Sequence, residues 1–327
     1  MRSVSSACTW FLLLACIWTG SAGAAQTVKL AVVTKPGSAQ AICAEKFAEL
    51  ASAASQGELQ VELFHSGSMG NETEILQKLQ GGQIQIAVVT VGPFDEFVPE
   101  TRVVEFPFLF KNHAHADRVL DGKPGQTVLD ALEKAGFKGL AFSENGFRHL
   151  TNNKRPVHDA SQVKDLKIRV MNSALQEELW TILGARPIPH PWPIDEFLAA
   201  GGIDGQENPI WVLWEYRFDK LQRYLTLTGH VYSAHICAAN LNWFESLPAA
   251  LQGTVRRAMQ EAALYQRSYN RGHEKEYLTR LKEAGMQVDE HPDLDSFHAK
   301  TADIASLPLF REPDVKRLLD LFMNASR

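Results

Sequence analysis

Within residues 28–89 the sequence alternates short apolar runs with amphipathic stretches, and this alternation restricts the fold more than any other feature. Residues 28–33 read as a strand, and Ile42, Phe47 and Leu50 share one face of a following helix. Residues 59–64 alternate as a second strand. Gly70-Asn71-Glu72 then opens a helix through Leu76 and Leu79, which Gly81-Gly82 stops. Residues 84–89 are nearly all apolar, as expected of a strand covered on both faces. Strand-helix-strand-helix-strand predicts an α/β unit with a mostly parallel sheet.

The logic repeats further on. Pro107 to Phe110 is an apolar loop, residues 116–135 are helical with a Gly-Lys-Pro-Gly break, and 138–143 form another strand. The second unit reads as strand 166–170, helix 173–183, a short strand near Ile188 and helix 194–200. A turn at 204–209, dense in hydrogen-bonding groups, closes it. A helix carrying Trp211, Trp214 and Phe218 follows, then strands 224–228 and 235–239, the latter returning to the first unit. Leu247-Pro248 caps a long helix to about residue 284, and Pro313 starts a C-terminal helix. At 327 residues the chain exceeds one comfortable core, so two α/β lobes with a ligand cleft between them are expected. The expected division is a leader over 1–24, a first lobe of 25–147 plus 234–272, and a second lobe of 148–233 plus 273–327.

Composition narrows the function. The chain is 45% hydrophobic and 22% charged with a net charge of −5, which leaves no electrostatic footprint for nucleic acid. Arg2, an apolar stretch over 10–18 and Ala22-Gly23-Ala24 read as an export leader with an A-x-A cleavage site, which predicts a periplasmic location. Leu13-Leu14-Ala15-Cys16 loosely resembles a lipobox, so tethering through Cys16 is the second reading. Beyond the leader stand Cys43, in a helical pattern, and Cys237, in an apolar strand. Export permits a disulfide, but these settings favour two buried thiols; their pairing stays open.

One charge is out of place. Arg169 sits between Ile168 and Val170, inside an apolar run where a buried strand normally excludes charge. A buried guanidinium needs a counter-charge, and one lacking it inside the chain would take it from a ligand anion.

A family resemblance rests on four segments. They are Asn145-Gly146-Phe147-Arg148-His149-Leu150-Thr151-Asn152, Asp165-Leu166-Lys167-Ile168-Arg169-Val170, Ile203-Asp204-Gly205-Gln206-Glu207-Asn208-Pro209 and Tyr224-Leu225-Thr226-Leu227-Thr228. In order and spacing the chain resembles the DctP-like extracytoplasmic solute-binding proteins of TRAP transporters. The resemblance implies a two-lobed, type II-like periplasmic-binding-protein clam-shell with mixed, mostly parallel sheets and a long interdomain helix. It further implies a monomer that captures an organic acid and hands it to a permease of one small and one large membrane subunit. The position matching Arg169 is the carboxylate-binding arginine; Arg148 matches an assisting arginine, and Asn208 an asparagine reaching the same carboxylate. Trp192 stands at an aromatic position over the bound acid, within Pro189-His190-Pro191-Trp192-Pro193-Ile194. That run departs from the Pro-Met-Pro-Phe-Ser-Glu of many members and is one residue shorter. Glu72 matches an acidic helix start facing the cleft, and Thr90 stands where sialic-acid binders carry glutamate. Lys35, Phe147 and Trp211 complete the candidate ligand contacts. Phe147, Trp192, Trp211 and Trp214 suggest an aromatic or flat carboxylate; a keto or hydroxy monocarboxylate or a C4-dicarboxylate are the other options.

No cofactor, metal site or catalytic residue is expected. The histidines, including His113-Ala114-His115, lack metal-ligand spacing, and Ser66-Gly67-Ser68-Met69-Gly70 lacks the glycine that a nucleophile elbow places before its serine. An exported hydrolase using Glu72, and a receptor feeding a sensor kinase, are the competing readings.

Overall fold

The computed structural model describes residues 25–325. The expected leader and Cys16 lie outside the described residues. In chain order the elements are β1 (Gln26–Ala31), α1 (Ala39–Ala54), β2 (Leu59–Phe64), α2 (Glu72–Gln80), β3 (Ile86–Thr90), α3 (Val91–Phe94), α4 (His113–Leu120) and α5 (Lys123–Ala131). There follow β4 (Phe137–Asn152), β5 (Lys167–Val170), α6 (Ala174–Leu183), β6 (Arg186–Pro189), α7 (Asp195–Ala199), β7 (Gly205–Asn208) and α8 (Ile210–Glu215). The chain ends with β8 (Tyr224–Asn240), α9 (Leu241–Ser246), α10 (Ala249–Glu283), β9 (Gln287–Asp289), α11 (Leu294–Thr301) and α12 (Pro313–Ala325).

Strand periodicity explains how the first lobe is layered. In β3, Ala87 and Val89 enter one apolar cluster while Ile86 and Val88 enter another on the opposite face. The strand is therefore buried on both sides, which is why its sequence shows no polar alternation. The first cluster is roofed by α2 and α5, the second by α1 and α10. Helix α2 begins where its sequence says it should. Asn71 and Glu74 form a reciprocal capping box, and Glu72 and Glu74 lie in the first turn, where the helix dipole favours negative charge.

The sheet order is β2-β1-β3-β8-β4-β7-β5-β6, with β9 also on β8. Pairing is parallel within β2-β1-β3 and β7-β5-β6, whereas β8 is antiparallel to β3 and β4, and β4 to β7. Strands β4, of 16 residues, and β8, of 17, run through both halves of this sheet and join the two lobes. Their pairing is irregular between Gly139 and Ala141, Glu144 and Gly146, and Arg148 and Leu150. The separate strands expected at 224–228 and 235–239 are one, because Gly229 is carried within β8 and does not end it. A second correction concerns 204–209. Its Gly-, Asp- and Asn-rich composition reads as a turn, but Gly205–Asn208 is a buried strand held between β4 and β5.

The 35-residue helix α10 packs on α1, α8 and β4. At the crossing point Gln266 Oε1 accepts from Glu144 N at 2.7 Å and its Nε2 donates to Glu144 O at 2.9 Å. Helix α12 packs on α5 and residues 99–105, and Lys134 reaches Asp314 at 2.8 Å. These contacts tie the C-terminal helix to first-lobe elements. Among the described residues no helix is long and apolar enough to cross a membrane.

Candidate ligand-binding site

The parallel strands β1, β3, β5 and β7 point their carboxyl ends toward one crevice, where open α/β sheets place ligands. A cavity lies there, lined by residues of both ends of the chain's sheet. Of the candidates, Glu72, Thr90, Arg148, Arg169, Trp192, Asn208 and Trp211 line it together. They come from sequence positions up to 139 residues apart, Glu72 to Trp211, gathered by the strand ends.

Arg169 is only 3% exposed. Its Nε donates to the carbonyl oxygen of His190 at 2.8 Å, and Nη2 donates to the same oxygen. Among the described residues no carboxylate lies within ion-pair distance of it, and Nη1 has no hydrogen-bond partner. Burial pulls this guanidinium down to about 10; the fields of Glu207 and Glu72 oppose that fall, and Arg148 adds to it. It stays protonated at neutral pH.

Arg148 differs. Its Nη2 donates to Glu207 Oε1 at 2.7 Å, to Glu207 O at 2.6 Å and to Asn208 Oδ1 at 3.1 Å, while Nε donates to Glu207 Oε2. His230 Nε2 lies 3.2 Å from Glu207 Oε2. Burial opposes ionisation of Glu207, but the Arg148 guanidinium outweighs it and, with His230, holds the carboxyl down at about 2. Arg148, expected as an assisting arginine, lines the cavity as half of an internal ion pair, with only Nη1 unbonded among the described residues.

Glu72 brings a carboxylate to the same cavity. Glu72 Oε1 accepts from Thr90 N at 2.9 Å, Thr90 Oγ1 at 2.7 Å and Gln40 Nε2 at 2.9 Å. Gln40 is aimed in turn by Val33 N, which donates to its Oε1 at 3.2 Å. Trp211 has its Nε1 committed to the carbonyl oxygen of Asn145 at 2.7 Å, and Trp192 stacks edge-on against Tyr216 at 4.6 Å. These two indoles, with Val33, Met171 and Val212, give the cavity its apolar sides.

Lys35 and Phe147 lie elsewhere. Strand alternation turns Phe147 to the face opposite Arg148, where it packs on Tyr232 and His113. Lys35 reaches away from the cavity: its Nζ donates to Glu215 O, stands 4.8 Å from the Tyr216 ring centre, and its backbone N donates to Tyr216 Oη at 3.1 Å. Trp214 is also outside, beneath Arg217 and Arg280. Gln40, Asn145, Met171 and His235 line the cavity without having been expected. A polar residue inside an apolar run was the available signal for His235, the same signal that marked Arg169. Burial, and then the field of Arg148, lowers His235 to about 3, so it is neutral at the cavity wall.

Comparison with known proteins places this geometry. The family of bacterial extracellular solute-binding proteins, family 7 (DctP), matches residues 30–306. The chain belongs to the DctP family. DctP proteins are the periplasmic solute-binding components of TRAP transporters; they bind and deliver substrates and are not enzymes. The chain is 34% identical over 298 residues to the 2,3-diketo-L-gulonate-binding periplasmic protein YiaO of Escherichia coli, covering 91% of this chain and 90% of that protein. A TRAP solute-binding protein from Bordetella bronchispeptica, with density interpreted as pantoate, superimposes with a TM-score of 0.87 at 35% identity, over 91% of this chain and 99% of that one. One from Polaromonas sp. JS666 bound to D-erythronate gives a TM-score of 0.87 at 33% identity, over 91% and 98%. These DctP-family likenesses agree with the two-lobed α/β fold described above.

Proposed function

We propose that this DctP-family protein captures an organic acid by hydrogen-bonding the acid's carboxylate to Arg169, then delivers it to a membrane permease. The observation carrying the proposal is a buried, charged Arg169 that borders a cavity without any carboxylate of its own chain as partner among the described residues. An uncompensated buried charge is costly, and an incoming carboxylate removes that cost while gaining about 1.5–3 kcal/mol per charge-assisted hydrogen bond. Arg148 and Asn208 line the same cavity. Pantoate, D-erythronate and 2,3-diketo-L-gulonate, named for three relatives, all carry a carboxylate of this kind. Two indoles rather than four aromatic rings border the cavity, which favours a small acid over a broad aromatic one.

The lobes proposed to close on the acid are 25–147 with 234–272 and 148–233 with 273–327; the α12 contacts with α5 and residues 99–105 favour counting the C-terminal helix with the first lobe instead. Export through the leader, and a pair of small and large permease subunits as the recipients, belong to the same proposal. Calorimetric titration with D-erythronate, pantoate and other carboxylates tests it. Saturable binding is expected, weakened about 10- to 150-fold in Arg169→Lys, which keeps charge but loses the fork. Binding to no carboxylate, or equal affinity in the variant, counts against it.

A further inference from the structure

Behind the cavity wall lies a pair of sulfurs that ligand capture does not use. Cys43, on α1, and Cys237, on β8, are the two cysteines beyond the expected leader. Both are 0% exposed, and their Sγ atoms lie 3.8 Å apart although 194 residues separate them along the chain. They belong to the apolar cluster that α1 and α10 close over the sheet, together with Phe47, Val88 and Ala239. Ser143 Oγ stands 3.8 Å from Cys237 Sγ. The Cys237 thiol, and then burial, push the Cys43 thiol well above its ordinary value, so it is no reactive thiolate in the folded protein. Each sulfur faces chiefly the other.

We propose that Cys43 and Cys237 form a modification site: in the exported protein a disulfide joins them and bolts α1 to β8. DctP proteins work in the periplasm, where disulfides form and persist. The inference uses that setting and is independent of acid capture by Arg169. A disulfide holds its sulfurs about 2.05 Å apart, so each has only about 0.9 Å to travel, within reach of side-chain rotation. The oxidant is the disulfide of a thiol-exchange partner. One cysteine thiolate attacks it and displaces a thiolate; the second then attacks the mixed disulfide and releases the other. The two cysteines lose two protons and two electrons, and the partner's disulfide leaves as a pair of thiols. Burial confines this exchange to the folding chain, before α1 closes over β8, and afterwards shields the bond from reductants. A cross-link spanning 194 residues restricts the unfolded chain strongly. Its ends also stand beside the cavity: Gln40, one helical turn before Cys43, and His235, two residues before Cys237, both line it. The bond therefore braces the first-lobe wall from behind.

The test starts with the full chain expressed with its own leader, recovered from the periplasm and treated with a maleimide in denaturant. Non-reducing digestion and mass spectrometry are expected to show a peptide linking Cys43 to Cys237 in most chains. Maleimide on both cysteines in most chains overturns the proposal. A second arm does not depend on export: reduced, denatured protein is refolded with either oxidised or reduced glutathione. The oxidised preparation is expected to carry the link and to unfold about 5–10 °C higher. Cys43→Ala, which cannot form the link, is expected to unfold at one temperature after either treatment. If that variant does not fold, the two wild-type preparations decide alone. Failure of oxidised glutathione to form the link overturns the pairing, and equal midpoints with the link formed overturn the brace. None of these readouts involves a carboxylate, so failure here leaves the Arg169 reading intact.

Discussion

Arg148 and Arg169 bring like charge to one cavity and answer to different partners, and the difference decides what substitution does to each. Glu207 is fully buried against Arg148, so Glu207→Gln leaves that guanidinium without its counter-charge. The expected cost is about 3–5 kcal/mol, read as a lowered urea midpoint at neutral pH. Glu105 makes a different prediction. Burial raises its carboxyl to about 7, against the pull of Arg148 and a bond from Ser233. Between its ordinary 4.5 and about 7 the folded protein keeps a proton that the unfolded chain has released, so stability from this group is full below that window and lost as pH rises through it. Wild type is therefore expected to lose on the order of 3 kcal/mol relative to Glu105→Gln between pH 4.5 and pH 8. Buried His149 and His235, both near 3, have the opposite sign but are common to both proteins and cancel in the difference. A parallel urea series for the two proteins checks it; a pH-independent difference contradicts it. Arg169 was legible in the sequence because a charge within Ile168-Arg169-Val170 has no structural reason to be there. The pairing of Arg148 with Glu207 was not, since the two meet only through the β4–β7 register, 59 residues apart.

At the scale of elements, β7 is the piece on which the site depends and the one the sequence disguised. Its Gly-Gln-Glu-Asn composition is that of a turn, and it becomes a strand only because β4 and β5 offer it edges on both sides. Helices and strands with their own periodicity, such as α2, β2 and α10, needed no such partners to be read. The glycine that opens β7 is required by packing: a Cβ at Gly205 would lie 2.0 Å from Thr151 O and 2.9 Å from Asn152 Cβ. Gly205→Ala is expected to push β7 off β4, costing roughly 1–3 kcal/mol, and to displace Glu207 and Asn208 enough to weaken ligand binding as well. Gly202→Ala is the control, because nothing lies within 4 Å of a Cβ there. Thermal unfolding and titration of both variants check this, and equal behaviour of the two refutes it.

At the scale of the molecule, β4 and β8 run through both halves of the sheet beside the cavity, with α10 clamped to Glu144 at the crossing. Lys35, expected at the ligand, instead straps the loop after β1 to the end of α8 through Glu215 and Tyr216. Tyr216 also backs Trp192 on the cavity wall, so this contact joins the proposed lobes beside the ligand without touching it. Lys35→Met is expected to raise the dissociation rate of a bound acid about two- to tenfold, with the carboxylate preference unchanged. Stopped-flow dissociation reads the rate, and a change in ligand preference contradicts the strap. Two lobes and a cleft followed from chain length and βα order; which residues bridge the cleft did not, because that depends on the closure geometry alone. Underlying all of this is the claim that Arg169 holds the acid. The most direct measurement is a crystal structure of the protein grown with D-erythronate. The account predicts a carboxylate oxygen roughly 2.7–2.9 Å from Arg169 Nη1. A ligand whose carboxylate lies elsewhere, with Arg169 bonded only to His190 O, contradicts it.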